Sequence, residues 1–133
     1  MINKKSQGSV EFMILVGIVL FFFVTFFLSI QESMSYKIEQ KKMIVVKNIA
    51  LSVQDEFNLA LKSSDGYERT FEIPSDINGQ DYIIGIQEDT VYVKTLDEKT
   101  VIYLPVANVT MINDINKGSN KITKQGGIIN VNP

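Results

Sequence analysis

The hydrophobic pattern of this chain changes twice. From Phe12 to Ile30 every position except Gly17, Thr25 and Ser29 is apolar, and no residue is charged. From Val46 onward the apolar residues are spaced, falling at Val46, Ile49, Ala50, Val53, Phe57, Ala60 and Leu61. That i, i+3, i+4, i+7 spacing predicts an amphipathic helix with one buried face. After Gly66 the period becomes two: Tyr67, Phe71 and Ile73 alternate with Glu68, Thr70 and Glu72 and stop at Pro74. This is the signature of a half-buried strand. No helix breaker lies between Ile30 and Ser63, so one helix is expected from about Gln7 to Ser63, with the polar stretch 31–42 the place for a frayed stalk. Ser63-Ser64-Asp65-Gly66 is expected to end it, with Gly66 in the left-handed C′ position.

Further strands are expected at Tyr82–Gln87, Val91–Thr95, Thr100–Leu104, Val109–Ile112, Lys121–Lys124 and Ile128–Val131. Asn78-Gly79, Glu88-Asp89-Thr90, Leu96–Lys99 and Gln125-Gly126-Gly127 supply turn signals. The fold class that follows is α+β: a long N-terminal helix, apolar in its first half and amphipathic in its second, packed on a small antiparallel β-sheet domain. The simplest arrangement lays a single sheet over the Val46–Leu61 face.

The apolar run has nineteen residues and as a helix would be about 28 Å long. That is close to the ~30 Å hydrocarbon core of a bilayer. Three kinds of segment fit it. One is a secretory signal cut after the small-x-small pattern Ser33-Met34-Ser35, although its apolar core would be longer than usual. The others are an uncleaved anchor and a leader cut before the run. Lysines flank both sides (Lys4 and Lys5 before it; Lys37, Lys41 and Lys42 after it), so charge asymmetry does not decide orientation.

Just ahead of the run stands Gln7-x-Ser9-x-Glu11-x-x-x-Leu15, preceded by Lys4 and Lys5. This pattern resembles the class III signal peptide of archaeal type IV pilins over roughly residues 4–30. It is unlike the bacterial pilin pattern in having Gln at the cut and no proline before Pro74. The resemblance implies a leader at 1–6, recognised through Lys4, Lys5, Gln7, Ser9, Glu11 and Leu15 and cleaved between Ser6 and Gln7 by a class III signal peptidase. It implies an assembly helix at 7–30, continued by an amphipathic helix at 31–63 and a β head at 64–133. Gln7 and Glu11 would mediate subunit assembly, the new N-terminal ammonium of one copy pairing with Glu11 of another. The function implied is structural: a major or minor subunit of a surface filament, membrane-held with its C-terminal domain outside until the pilus assembly machinery polymerises it. The competing reading, of another class, is a membrane-anchored extracellular binding module that does not polymerise.

Composition removes most alternatives. With no Cys and no His, thiolate nucleophiles, disulfides, imidazole bases and zinc-thiolate sites are excluded. The acidic pairs Asp55-Glu56, Glu88-Asp89 and Asp97-Glu98 are adjacent in sequence, so their carboxylates diverge, and the chain is not expected to be an enzyme. Asp76-x-Asn78-Gly79-x-Asp81 and Asp114-x-Asn116-x-Gly118 are oxygen-rich, but neither has a complete calcium-loop spacing; no cofactor or metal is expected. The net charge is −2 and Lys37, Lys41, Lys42 and Lys47 form the sole basic cluster, so no nucleic-acid partner is expected. Asn108-Val109-Thr110 is a possible N-glycosylation sequon.

Overall fold

The computed structural model describes residues 4–107, 109–111 and 113–133. Helix α1 spans Lys4–Lys62 and is followed by seven strands: β1 Glu68–Ile73, β2 Tyr82–Gln87, β3 Thr90–Thr95, β4 Val101–Pro105, β5 Val109–Met111, β6 Gly118–Gln125 and β7 Ile128–Val131. The α+β class is as expected, with the helix packed on antiparallel β structure. The chain divides into two compact units, residues 1–40 and 41–133.

The unit 41–133 is built on the spaced apolar face of α1. Val46, Ala50, Val53, Phe57 and Ala60 are buried, with Ile49 beside them. They share one core with Phe71 and Ile73 of β1, Ile122 of β6 and Ile129 and Val131 of β7. Tyr82 of β2 and Val91 and Val93 of β3 join the same core from the other side of the topology. Seventeen apolar residues in one cluster are enough to hold a domain of this size together.

The single expected sheet is two. β1-β6-β7-β5 form a four-stranded sheet and β2-β3-β4 a three-stranded meander. β5 runs parallel to β7, and all other pairs are antiparallel. The reason is long-range: β1 pairs with β6, almost fifty residues further on, so the meander is inserted between two partners of one sheet. β6 is also longer than Lys121–Lys124. Its polar start hides a buried residue, Asn120, whose amide donates to the Asn116 and Gly118 carbonyls while its oxygen accepts from Asn116 N–H and the Asn132 amide. A buried amide with every group partnered is tolerated where an unpaired one would not be.

The end of α1 also differs from expectation. Ser63 is already outside the helix, and Gly66, at φ 88°, serves the turn Ser64–Tyr67, closed by Tyr67 N–H on the Ser64 carbonyl at 3.2 Å. Ser63 donates to Leu59 O and Ala60 O, and Lys124 of β6 takes the next carbonyl, its Nζ donating to Leu61 O at 2.6 Å and, just beyond the helix, to Ser63 O at 2.7 Å. A cation at this end also suits the helix dipole. Lys124→Met keeps the stem and removes both bonds. It is expected to lower unfolding stability by about 1–3 kcal/mol, read from the denaturant midpoint; an unchanged midpoint would deny Lys124 the capping role.

Candidate functional site

The residues of the leader pattern lie at the start of α1. Lys4, Lys5 and Ser6 are helical, so the Ser6–Gln7 bond falls in the first helical turns rather than before them. Nothing between Lys4 and Gln7 breaks a helix, and Lys and Gln favour one. Terminal turns fray, and Gly8 weakens this one further. Opening this turn therefore demands little.

Gln7, Glu11 and Leu15 recur at i, i+4 and i+8, which places them on one face of α1, with Ser9 elsewhere on the helix. All four are exposed, and among the described residues Glu11 has no ion-pair partner. Beyond Glu11 the helix is apolar on every side. Phe21, Phe22 and Phe23 are successive in sequence and 66–69% exposed, and the exposure continues through Phe26, Phe27 and Leu28. By length and composition this helix can cross a membrane, and its most apolar stretch is 0% buried. An apolar surface of this extent is not left in water by soluble chains. Each large side chain that lipid or protein covers gains roughly 1.5–3 kcal/mol.

The other candidate groups are placed as follows. Asp76 Oδ1 accepts Gly79 N–H at 2.8 Å, and Asn78 and Gly79 take left-handed conformations at φ 53° and 76°, forming a tight turn whose Ile77 and Gln80 exchange backbone hydrogen bonds. Asp81 accepts from Lys117 and from Tyr82 N–H, and these bonds hold its carboxyl below the usual range. Asp81 is thus a tie between the β2 start and the 113–117 loop. The Tyr82 hydroxyl donates to Pro74 O, and burial, aided by Asp76 and Asp81, pushes the phenol up to about 12. Asp114 contributes its carbonyl to Asn116 and Asn132. Among the described residues no three His, Cys, Asp or Glu side chains converge as metal ligands would.

Two of the three acidic pairs split, while Glu88 and Asp89 are both exposed. Glu56 Oε2 lies 2.9 Å from Arg69 Nε, off the hydrogen-bond line, while Asp55 is exposed. Asp97 accepts from the Thr95 hydroxyl and Lys99 N–H, the first of which mainly holds its carboxyl low, and Glu98 pairs with Lys94 at 2.9 Å. Lys37, Lys41 and Lys47 are exposed on α1, and Lys42 is half-buried. Asn108 lies outside the described residues.

Sequence reasoning missed one feature. Tyr92 and Tyr103 are directly opposed on β3 and β4 and help to line a hollow of about 220 Å³. Their shared register was the available signal. No protein family, curated protein or solved structure matches this chain.

Proposed function

We propose that this chain is a structural subunit of an archaeal type IV pilus-like surface filament, cut before Gln7 and assembled through its N-terminal apolar helix. What carries the reading is the coincidence of Gln7-x-Ser9-x-Glu11-x-x-x-Leu15 with a helix whose uncharged nineteen-residue run, Phe12 to Ile30, presents exposed apolar side chains on all sides. That surface needs two covers in succession. Lipid covers it first, with the C-terminal unit outside the cell; the same surface of neighbouring copies covers it in the filament. Because both environments are apolar, moving from one to the other exposes little new surface to water.

The leader controls the move. Lys4 and Lys5 are expensive to draw into hydrocarbon, at roughly 2.5–3.5 kcal/mol each near a bilayer centre. Cutting between Ser6 and Gln7 removes them and leaves a single ammonium four residues from Glu11. The class III signal peptidase and the assembly machinery are the implied partners. The protein performs no chemistry of its own in this account.

Membranes carrying the full chain, incubated with a class III signal peptidase, test the first step. The expected product has lost residues 1–6 and begins at Gln7. A chain that stays intact under conditions where a control pilin is cut would overturn the reading.

A further inference from the structure

The outward faces of the two sheets differ in kind. On the four-stranded sheet, alternation turns Glu68, Thr70, Glu72, Ser119, Lys121 and Thr123 away from the core. This is a solvated surface, with Lys121 and Glu68 paired at 2.8 Å. On the three-stranded sheet, the alternation that buries Tyr82, Val91 and Val93 turns Ile83, Gly85, Tyr92, Val101 and Tyr103 outward. Lys94, Gln87 and Thr90 share this outward face, so it is mixed, with its aromatic part at Tyr92 and Tyr103.

At its centre the three strands carry Gly85, Tyr92 and Tyr103 in one cross-strand row. The hydroxyl oxygen and two ring atoms of Tyr92 lie 2.5–2.8 Å from where a Cβ on Gly85 would stand. A side chain at position 85 would displace the Tyr92 ring, which with glycine there rests on the bare backbone. Tyr103, 67% exposed, stands beside it with ring centroids 6.4 Å apart and planes tilted by 42°. Gln87, Glu88 and Thr90 complete the hollow. Glu88 holds its place in the β2–β3 turn at φ 53°, a left-handed conformation that suits glycine better than glutamate.

We propose that this hollow is a binding site for one neutral pyranose ring of a glycan. The C–H groups on one face of a pyranose carry partial positive charge, and an aromatic ring presents a negative face to them. The hydroxyls around the sugar's edge need partners that both accept and donate. Glu88 accepts from two neighbouring hydroxyls, the Gln87 amide does both, and Thr90 and the tyrosine hydroxyls do either. The volume, about 220 Å³, is below the usual range for drug-sized ligands and suits a single ring. No Lys or Arg lines the hollow itself, the nearby Lys94 is paired with Glu98 at 2.9 Å, and Glu88 repels anions, so a neutral ring is favoured over acidic sugars and phosphates. The rim is too polar for a lipid chain. This inference stands on the sheet alone and holds whether or not the chain polymerises.

The test uses the full-length chain in micelles of a zwitterionic detergent with no sugar headgroup. Methyl glycosides of glucose, galactose, mannose and N-acetylglucosamine are titrated in, and tyrosine ring resonances and saturation transfer are followed by NMR. At least one is expected to bind in the millimolar range and to shift the Tyr92 and Tyr103 rings. Tyr103→Ala removes an exposed ring and is expected to weaken binding by about fivefold or more. Glu88→Gly relaxes the turn, so its melting temperature should hold or rise while binding falls by a similar factor. Thr123→Ala, on the outer face of the other sheet, should change nothing. The proposal is overturned if no glycoside perturbs the rings, if binding survives Tyr103→Ala, or if only an acidic sugar or an acidic peptide binds. It is also overturned if Tyr103→Ala disperses a dimer of the full chain that shows no sugar binding, since the face would then belong to a second copy.

Discussion

Glu11→Ala should leave cleavage before Gln7 nearly intact and reduce surface filaments by about tenfold or more. In the proposed assembly Glu11 enters an apolar bundle, where an unpaired carboxylate is not sustainable. Its available partner is the ammonium that cleavage creates on the Gln7 of a neighbouring copy. Removing one member of a buried ion pair strands the other, at a cost of about 3–5 kcal/mol, and every ~1.4 kcal/mol is a factor of ten in an equilibrium constant. Glu11 has no ion-pair partner among the described residues of its own chain, so the loss should appear in polymerisation rather than in folding. Filament yield, measured by shearing and quantifying the released protein, is the readout. Normal yield from a correctly processed Glu11→Ala chain would remove the pairing role.

Phe57→Ala should remove a large share of the stability of the C-terminal unit. Phe57 is 2% exposed and sits on the face of α1 that shares its core with residues of both sheets. Emptying such a site costs about 3–5 kcal/mol, against a total stability of about 5–15 kcal/mol for a domain. The chain has no Trp, and four of its five Tyr lie in residues 41–133, so tyrosine fluorescence during urea unfolding of the full chain in micelles reports mainly on this unit. The transition midpoint should fall sharply. A shift corresponding to less than about 1 kcal/mol would mean that the site collapses around the smaller side chain. The same substitution should leave the apolar helix in the membrane, because residues 12–30 contribute nothing to that core.

What the sequence told and withheld follows from how local each signal is. Val46, Ile49, Ala50, Val53, Phe57 and Ala60 were legible as a buried face because helical periodicity is carried by near neighbours. The hairpins β2–β3, β3–β4 and β6–β7 were legible for the same reason, each turn lying beside the strands it joins. The pairing of β1 with β6 and the parallel run of β5 beside β7 were not, since alternation reveals which face is buried but not which strand lies alongside. The burial of Asn120 was not legible, because it depends on Asn116, Gly118 and Asn132 closing around it. Gly66 was read as a helix cap because glycine marks positive φ without saying which turn needs it; a lysine sixty residues on holds the helix end instead. For the site, the leader pattern is a linear signal and could be read directly. The Tyr92–Tyr103 hollow forms only when strand register brings the two rings together.

The central claim is that one cut before Gln7 converts a membrane-held chain into a filament subunit. The most direct test is the intact mass and N-terminal residue of the protein in material sheared from the cell surface, compared with the membrane fraction. The account predicts chains beginning at Gln7 in the sheared filaments. Chains beginning near Tyr36 would contradict it, making this a secreted domain that discards its apolar run. Chains beginning at Gln7 but found in membranes alone would contradict it too, leaving an anchored module that does not polymerise.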